Sequence, residues 1–152
     1  MPDKLKIFIA SDYRGDKLKA ALIPYLDACH SFIDVSDLGN NSGAPDDYND
    51  ASLAVAKKVL ENSGSFGILI CGSGHGITIA ANRFKGIRAC NCCSEESAKL
   101  AREHDDANIL CLAADLLDEV LAEDIVKTFF HTKFIDNSRR GARKKRLDED
   151  TL

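Results

Sequence analysis

No apolar run in the 152-residue chain approaches the roughly 20 residues that a membrane-spanning helix requires, so no membrane partner is expected. The opening residues, MPDKLKIFIASD, lack the long apolar stretch and small-residue cleavage site of a secretory signal, and the expected location is cytoplasmic. Without an export signal, the six cysteines (Cys29, Cys71, Cys90, Cys92, Cys93 and Cys111) are expected as reduced thiols rather than as a disulfide framework. Four of them lie in apolar segments and suit the core. The cluster Cys90, Cys92, Cys93 has no second Cys or His pair at zinc-ribbon spacing, so no metal is expected. A basic excess is missing too: the formal net charge is -4, which argues against a nucleic-acid partner. There is no internal repeat and no low-complexity segment, and the length suits one domain with one continuous core.

What is present is an alternation of short apolar runs with longer stretches of helical periodicity. LKIFIA, SFIDVSDL, FGILIC, GIRACNC and NILCLAA read as five strands. Between and after them, GDKLKAALIPYLDACH, DDYNDASLAVAKKVLENSG, ITIAANRF, SEESAKLAREH and DLLDEVLAEDIVKTFFHT read as helices. Ser94 opens the fourth of these, and Glu95 and Glu96 suit the positive end of its dipole. Such alternation predicts an α/β fold with a mostly parallel five-stranded sheet covered by helices on both faces. Ligands collect beyond the carboxyl ends of strands in such sheets. The loops to search are therefore SDYRGD, GNNSGAPDD, CGSGHG and the residues around Cys93. The tail, FIDNSRRGARKKRLDEDTL, concentrates Arg139, Arg140, Arg143, Lys144, Lys145 and Arg146. For Lys144, Lys145 and Arg146 the reading is a solvated, partly disordered end. Arg139 and Arg143 are four apart and on a helical turn would share a face able to grip a phosphate.

CGSGHG carries the chemistry. Gly72, Gly74 and Gly76 permit a tight turn that points successive N–H groups into one concavity, and the following helix adds its positive end. The dinucleotide fingerprint needs glycine where Ile77 stands, and a Walker loop needs a Gly-Lys-Ser/Thr ending that is absent. No arginine closes the loop as a cysteine phosphatase would require. Proton transfer remains: a thiolate at Cys71, favoured by backbone N–H groups and a helix N-terminus, is a competent base for a proton on carbon next to a carbonyl. The alternatives are a ligand-free turn and a thiol serving as a buried hydrophobe.

ILICGSGHGITIAANRFKGIRA, followed by SAKLAREHDDANILCLAA, resembles the type B ribose-5-phosphate isomerases and the related galactose-6-phosphate isomerase subunits. The resemblance runs from IFIASDYRG through GAPDDYNDAS to RRGAR. It implies a Rossmann-like three-layer sandwich, a homodimer or homotetramer with active sites between subunits, no metal or other cofactor, and aldose–ketose isomerisation of a phosphorylated sugar through an enediolate. By the same resemblance, Cys71 moves the proton between carbons 1 and 2, Ser73 interacts with sugar oxygens, the Gly72 to Gly76 backbone cradles the enediolate, and His104 opens the ring. Asp12 lines the sugar, with helix capping as its alternative role. Arg139 and Arg143 bind the phosphate, so residues 1–134 form the isomerase domain and 135–152 a tail that completes its site.

The chain departs from the family pattern at several positions. Tyr13 stands where histidine is usual, Asp105 where asparagine is usual, and Asp115 where an arginine is usual. DYNDAS replaces DYPDYA, and His75 occupies an aliphatic or small position. Three of these changes fall on substrate contacts and two add negative charge. The expected substrate is ribose 5-phosphate, with another sugar phosphate, or binding without turnover, as the alternatives.

Overall fold

The computed structural model describes residues 3–29, 31–39 and 47–149. Residues 40–46, most of the GNNSGAPDD loop singled out in the sequence, lie outside the described residues, as do the last three residues of the tail. Five strands, β1 (Leu5–Ser11), β2 (Ile33–Asp37), β3 (Phe66–Cys71), β4 (Ala89–Asn91) and β5 (Ile109–Ala113), form one sheet in the order β2-β1-β3-β5-β4. Every pairing is parallel, which sharpens the expectation of a mostly parallel sheet. β3 and β5 are central and almost wholly buried, which is why FGILIC and ILCLA read as unbroken apolar runs instead of alternating patterns.

Helices cover both faces, giving three layers. On one face, α1 (Asp16–Cys29) buries Leu18, Leu22 and Leu26, spaced four apart on one stripe, beside α4 (Glu95–Asp105) and α5 (Glu119–His131). On the other, α2 (Tyr48–Glu61) and α3 (His75–Ala81) pack Val55, Ala56, Ile77 and Ala81 against Leu69, Ile109 and Cys111. This second face carries only two helices and leaves Leu53, Leu60 and Ile79 exposed, Ile79 by 66%. Among the described residues no helix is long and apolar enough to cross a membrane.

Two boundaries differ most from the sequence reading. The α5 helix starts at Glu119, because the Asp118 side chain accepts the N–H of Leu121 and caps it; residues 114–116 form a turn before it. The tail is not a disordered end up to residue 147. Ser138–Leu147 form a sixth helix, α6, capped by Asn137 and tied down by Lys144 to Asp106 and by Asp148 to Arg88 at 2.9 Å. Lys144 is thus a docking residue, while Lys145 and Arg146 remain exposed.

Candidate active site

In a parallel sheet all carboxyl ends share one edge, and here the strand order reverses direction between β1 and β3, opening a crevice between the loops that follow them. Those loops carry Asp12 and Cys71. Ser11 pairs with Ile70, and the Asp12 N–H donates to the Ile70 carbonyl at 3.2 Å, so Asp12 lies beside the end of β3. Asp12 is 6% exposed, and its carboxylate accepts the N–H groups of Arg14 and Gly15. The helix-capping role foreseen for it is real, though it caps a short 3-10 turn (Tyr13–Gly15) ahead of α1. Burial pushes its pKa above the usual carboxylate value against the opposing pull of those two N–H groups and the Arg14 charge. Tyr13 is half exposed at the mouth.

Cys71 is buried, and its Sγ accepts the N–H of Gly74 at 3.2 Å. Gly74 has φ 76°, a left-handed conformation that turns the chain back over the sulfur before α3 begins. Ser73 is exposed, and its Oγ accepts the His75 N–H at 3.3 Å. Two of the five N–H groups of the Gly72 to Gly76 segment are therefore committed within the chain. Side chains from four other segments close on the loop: a Cβ at Gly72 would meet Arg14 and Asp115, one at Gly74 would meet Asn91, and one at Gly76 would meet the Tyr48 ring, all within 3 Å. Asp115 also donates its N–H to the Gly72 carbonyl at 3.0 Å. Its carboxylate is ion-paired with Arg14, so the negative charge noted at position 115 is matched by a guanidinium on the neighbouring loop.

His104, Asp105, Arg139 and Arg143 are elsewhere. The α4 helix leaves the carboxyl edge after β4 and returns to the amino edge, where Asp106, at φ 50°, turns the chain toward β5. Cys71 pairs with Ala113, four residues beyond Ile109 at the start of β5, which is roughly 13 Å along the strand. The Ile135 N–H donates to the Glu103 carbonyl at 3.1 Å and so brings α6 to the same amino edge as His104. His104 is half-buried; Asp105, Arg139 and Arg143 are exposed. Neither arginine has a hydrogen-bond or ion-pair partner among the described residues, unlike Arg140, Lys144 and Asp148 around them. One chain therefore places the two groups of candidate residues at opposite edges of the sheet.

Arg14 and Asn91 escaped the sequence reading. Arg14 sat in a loop already marked for search, and Asn91 is a polar residue at the carboxyl end of an otherwise apolar strand; those were the available signals. Among the described residues no group of three or more His, Cys, Asp or Glu side chains is arranged to hold a metal.

The profile of the family described as Ribose/Galactose Isomerase matches residues 7–148. The chain is 36% identical over 129 residues to the ribose-5-phosphate isomerase B of Escherichia coli (strain K12), covering 85% of each. Among solved structures, a ribose 5-phosphate isomerase from Thermotoga maritima superposes with a TM-score of 0.90 at 42% identity, covering 95% of this chain and 97% of that one. The ribose-5-phosphate isomerase B of Mycoplasma genitalium, solved with bound ribulose-5-phosphate, gives 0.90 at 39% identity, covering 97% and 96%. With a buried thiol on a glycine turn at the sheet's switch point and a family match spanning nearly its whole length, this chain belongs to the Ribose/Galactose Isomerase family.

Proposed function

We propose that this chain interconverts ribose 5-phosphate and ribulose 5-phosphate by proton transfer from carbon to a cysteine. The observation that carries this reading is Cys71, a buried thiol at the end of a central strand whose sulfur already accepts a backbone N–H. In the open-chain aldose, the Cys71 thiolate takes the proton from carbon 2. The electron pair of that C–H bond becomes the carbon 1–carbon 2 double bond, and the carbonyl pair moves onto oxygen 1. Donors of the glycine turn and the Ser73 hydroxyl stabilise the resulting enediolate. Return of the proton to carbon 1, with transfer of the oxygen 2 proton to oxygen 1, yields the ketose and regenerates the thiolate.

His104 opens the ring by taking the proton of the anomeric hydroxyl and delivering one to the ring oxygen, a task suited to imidazole near neutral pH. Arg139 and Arg143, both unpaired and one helical turn apart, hold the phosphate with their planar forks. Asp12, Tyr13, His75 and Asp105 line the sugar. Residues 1–134 then form the isomerase domain, and 135–152 supply the phosphate grip. Because the half-sites lie at opposite edges of one chain, a second copy must contribute His104, Asp105 and the two arginines, which calls for a homodimer or a homotetramer. The exposed apolar side chains of α2 and α3 support such an assembly.

The test is isomerisation of ribose 5-phosphate in deuterated buffer. The parent protein incorporates deuterium at carbon 2 of the recovered aldose, and Cys71→Ala lowers kcat roughly 10²-fold or more. Near-normal turnover by that variant removes Cys71 from the role. Five- and six-carbon sugar phosphates assayed side by side distinguish the pentose reading from a different substrate.

A further inference from the structure

The peptide between Ser73 and Gly74 has hydrogen bonds on both of its sides. Its N–H donates to Cys71 Sγ at 3.2 Å, and its carbonyl accepts from Asn91 Nδ2 at 3.1 Å. A peptide is planar, with its N–H and C=O pointing in opposite directions, so a donor that fixes the carbonyl also aims the N–H. The flanking glycine supplies no steric restraint of its own, since at φ 76° and without a Cβ it tolerates rotation of that plane. Asn91 lies against this glycine: a Cβ at Gly74 would collide with the Asn91 amide. Its amide orientation follows from its partners. Nδ2 faces two acceptors, the Ser73 carbonyl and His75 Nδ1 at 3.2 Å, whereas the flipped amide would set oxygen against the carbonyl oxygen.

We infer that Asn91 is a positioning residue for the proton-transfer cysteine: by holding the Ser73 carbonyl it turns the Gly74 N–H onto the Cys71 sulfur, favouring the thiolate. His75, placed above on the lining of the sugar site, is the second acceptor that steadies the Asn91 amide. It accepts through Nδ1, so in the neutral ring the proton sits on Nε2. Asn91 comes from β4, two strands away from β3 in the sheet, and touches no reacting atom itself. The inference rests on the reading of Cys71 as the base for its catalytic consequence but not for its structural one.

The experiment separates the two. Asn91→Leu keeps the side-chain volume and removes the donor. Thiolate formation at Cys71 is followed by ultraviolet absorbance across pH, with the matching Cys71→Ala protein subtracted. Loss of one hydrogen bond to a charged acceptor lowers the thiolate population on the rising part of the curve by about tenfold, and kcat for the isomerisation falls by about the same factor with KM unchanged. A purely structural role for Asn91 would shift the melting temperature and leave the Cys71 titration where it is, and that outcome overturns the inference. If Asn91→Leu does not fold, Asn91→Ser is titrated in the same way. A shifted titration in a protein whose Cys71→Ala variant remains active would uphold the positioning by Asn91 and overturn the base role of Cys71 instead.

Discussion

Gly74 joins two demands in one residue: a left-handed backbone and a flat surface for Asn91. Replacing it by Ala costs about 1–2 kcal/mol from the conformation alone, and the added methyl displaces the Asn91 amide. Gly74→Ala is therefore expected to lower stability in urea unfolding and to lower kcat further than the stability loss accounts for. Cys92 and Cys111 are buried core atoms, Cys90 is half-buried and Cys93 is exposed. Burial, helped by the nearby Asp105 charge, pushes Cys90 up to about 11, and burial pushes Cys92 up to about 12, so both stay neutral thiols at neutral pH. Cys111, fully buried, is raised for the same reason. These match the reading of cysteine as a small hydrophobe, while Cys71, also in an apolar segment, ends where a backbone N–H meets its sulfur.

The α6 helix is an element held by charge. With ten residues and no buried side chain, it is too short and too polar to stand alone. Asp106 is its anchor, accepting from Lys144 on α6 and from Arg102 on α4 at 2.8 Å. Burial, the largest single influence, raises the Asp106 pKa, but the hydrogen bonds from Lys144 and Arg102 and their charges together outweigh it and hold the carboxyl below its usual value. A depressed carboxyl stabilises the fold fully above the ordinary unfolded value near 4 and loses that contribution as pH falls through the lower folded value. Hydrogen exchange of α6 amides is thus expected to accelerate, relative to the central sheet, below about pH 4. Asp106→Asn should reproduce this at neutral pH, with exchange in α6 roughly tenfold faster. If α6 holds the phosphate-gripping arginines, the same variant raises KM and spares kcat.

At the scale of the whole molecule, the parallel sheet puts Cys71 and His104 at opposite edges, so the proposed reaction requires two chains. Cys71→Ala and His104→Ala proteins, each with little activity, should complement when unfolded and refolded together. Random pairing leaves one intact site in half of the dimers, so about a quarter of the parent activity returns. No recovery would mean that the two residues serve the same chain's site or that one of them has no role. A charge at Ile79, as in Ile79→Glu, should dissociate the assembly and abolish turnover without unfolding the chain, as sedimentation and circular dichroism would show. Ile79 follows the glycine loop on α3, so in the proposed assembly the interface and the site share one short helix.

Strands, helices and the glycine turn were legible in the sequence because they depend on short-range pattern: apolar periodicity, capping side chains, and glycine where the chain reverses. Cys71 at the end of FGILIC and the pairing of Arg139 with Arg143 on a helical face follow from such local rules. The tail's order did not, since α6 is fixed by Asp106 and Arg88, which the chain brings near only after folding. The Arg14–Asp115 pair spans 101 positions, and Asn91 reaches Ser73 across 18. Local sequence thus determined most of the elements and where the candidate thiol stands. The tertiary structure alone decided which side chains surround that thiol and that its proposed partners lie at the far edge, because strand order arises from long-range burial and leaves no periodic trace in the chain.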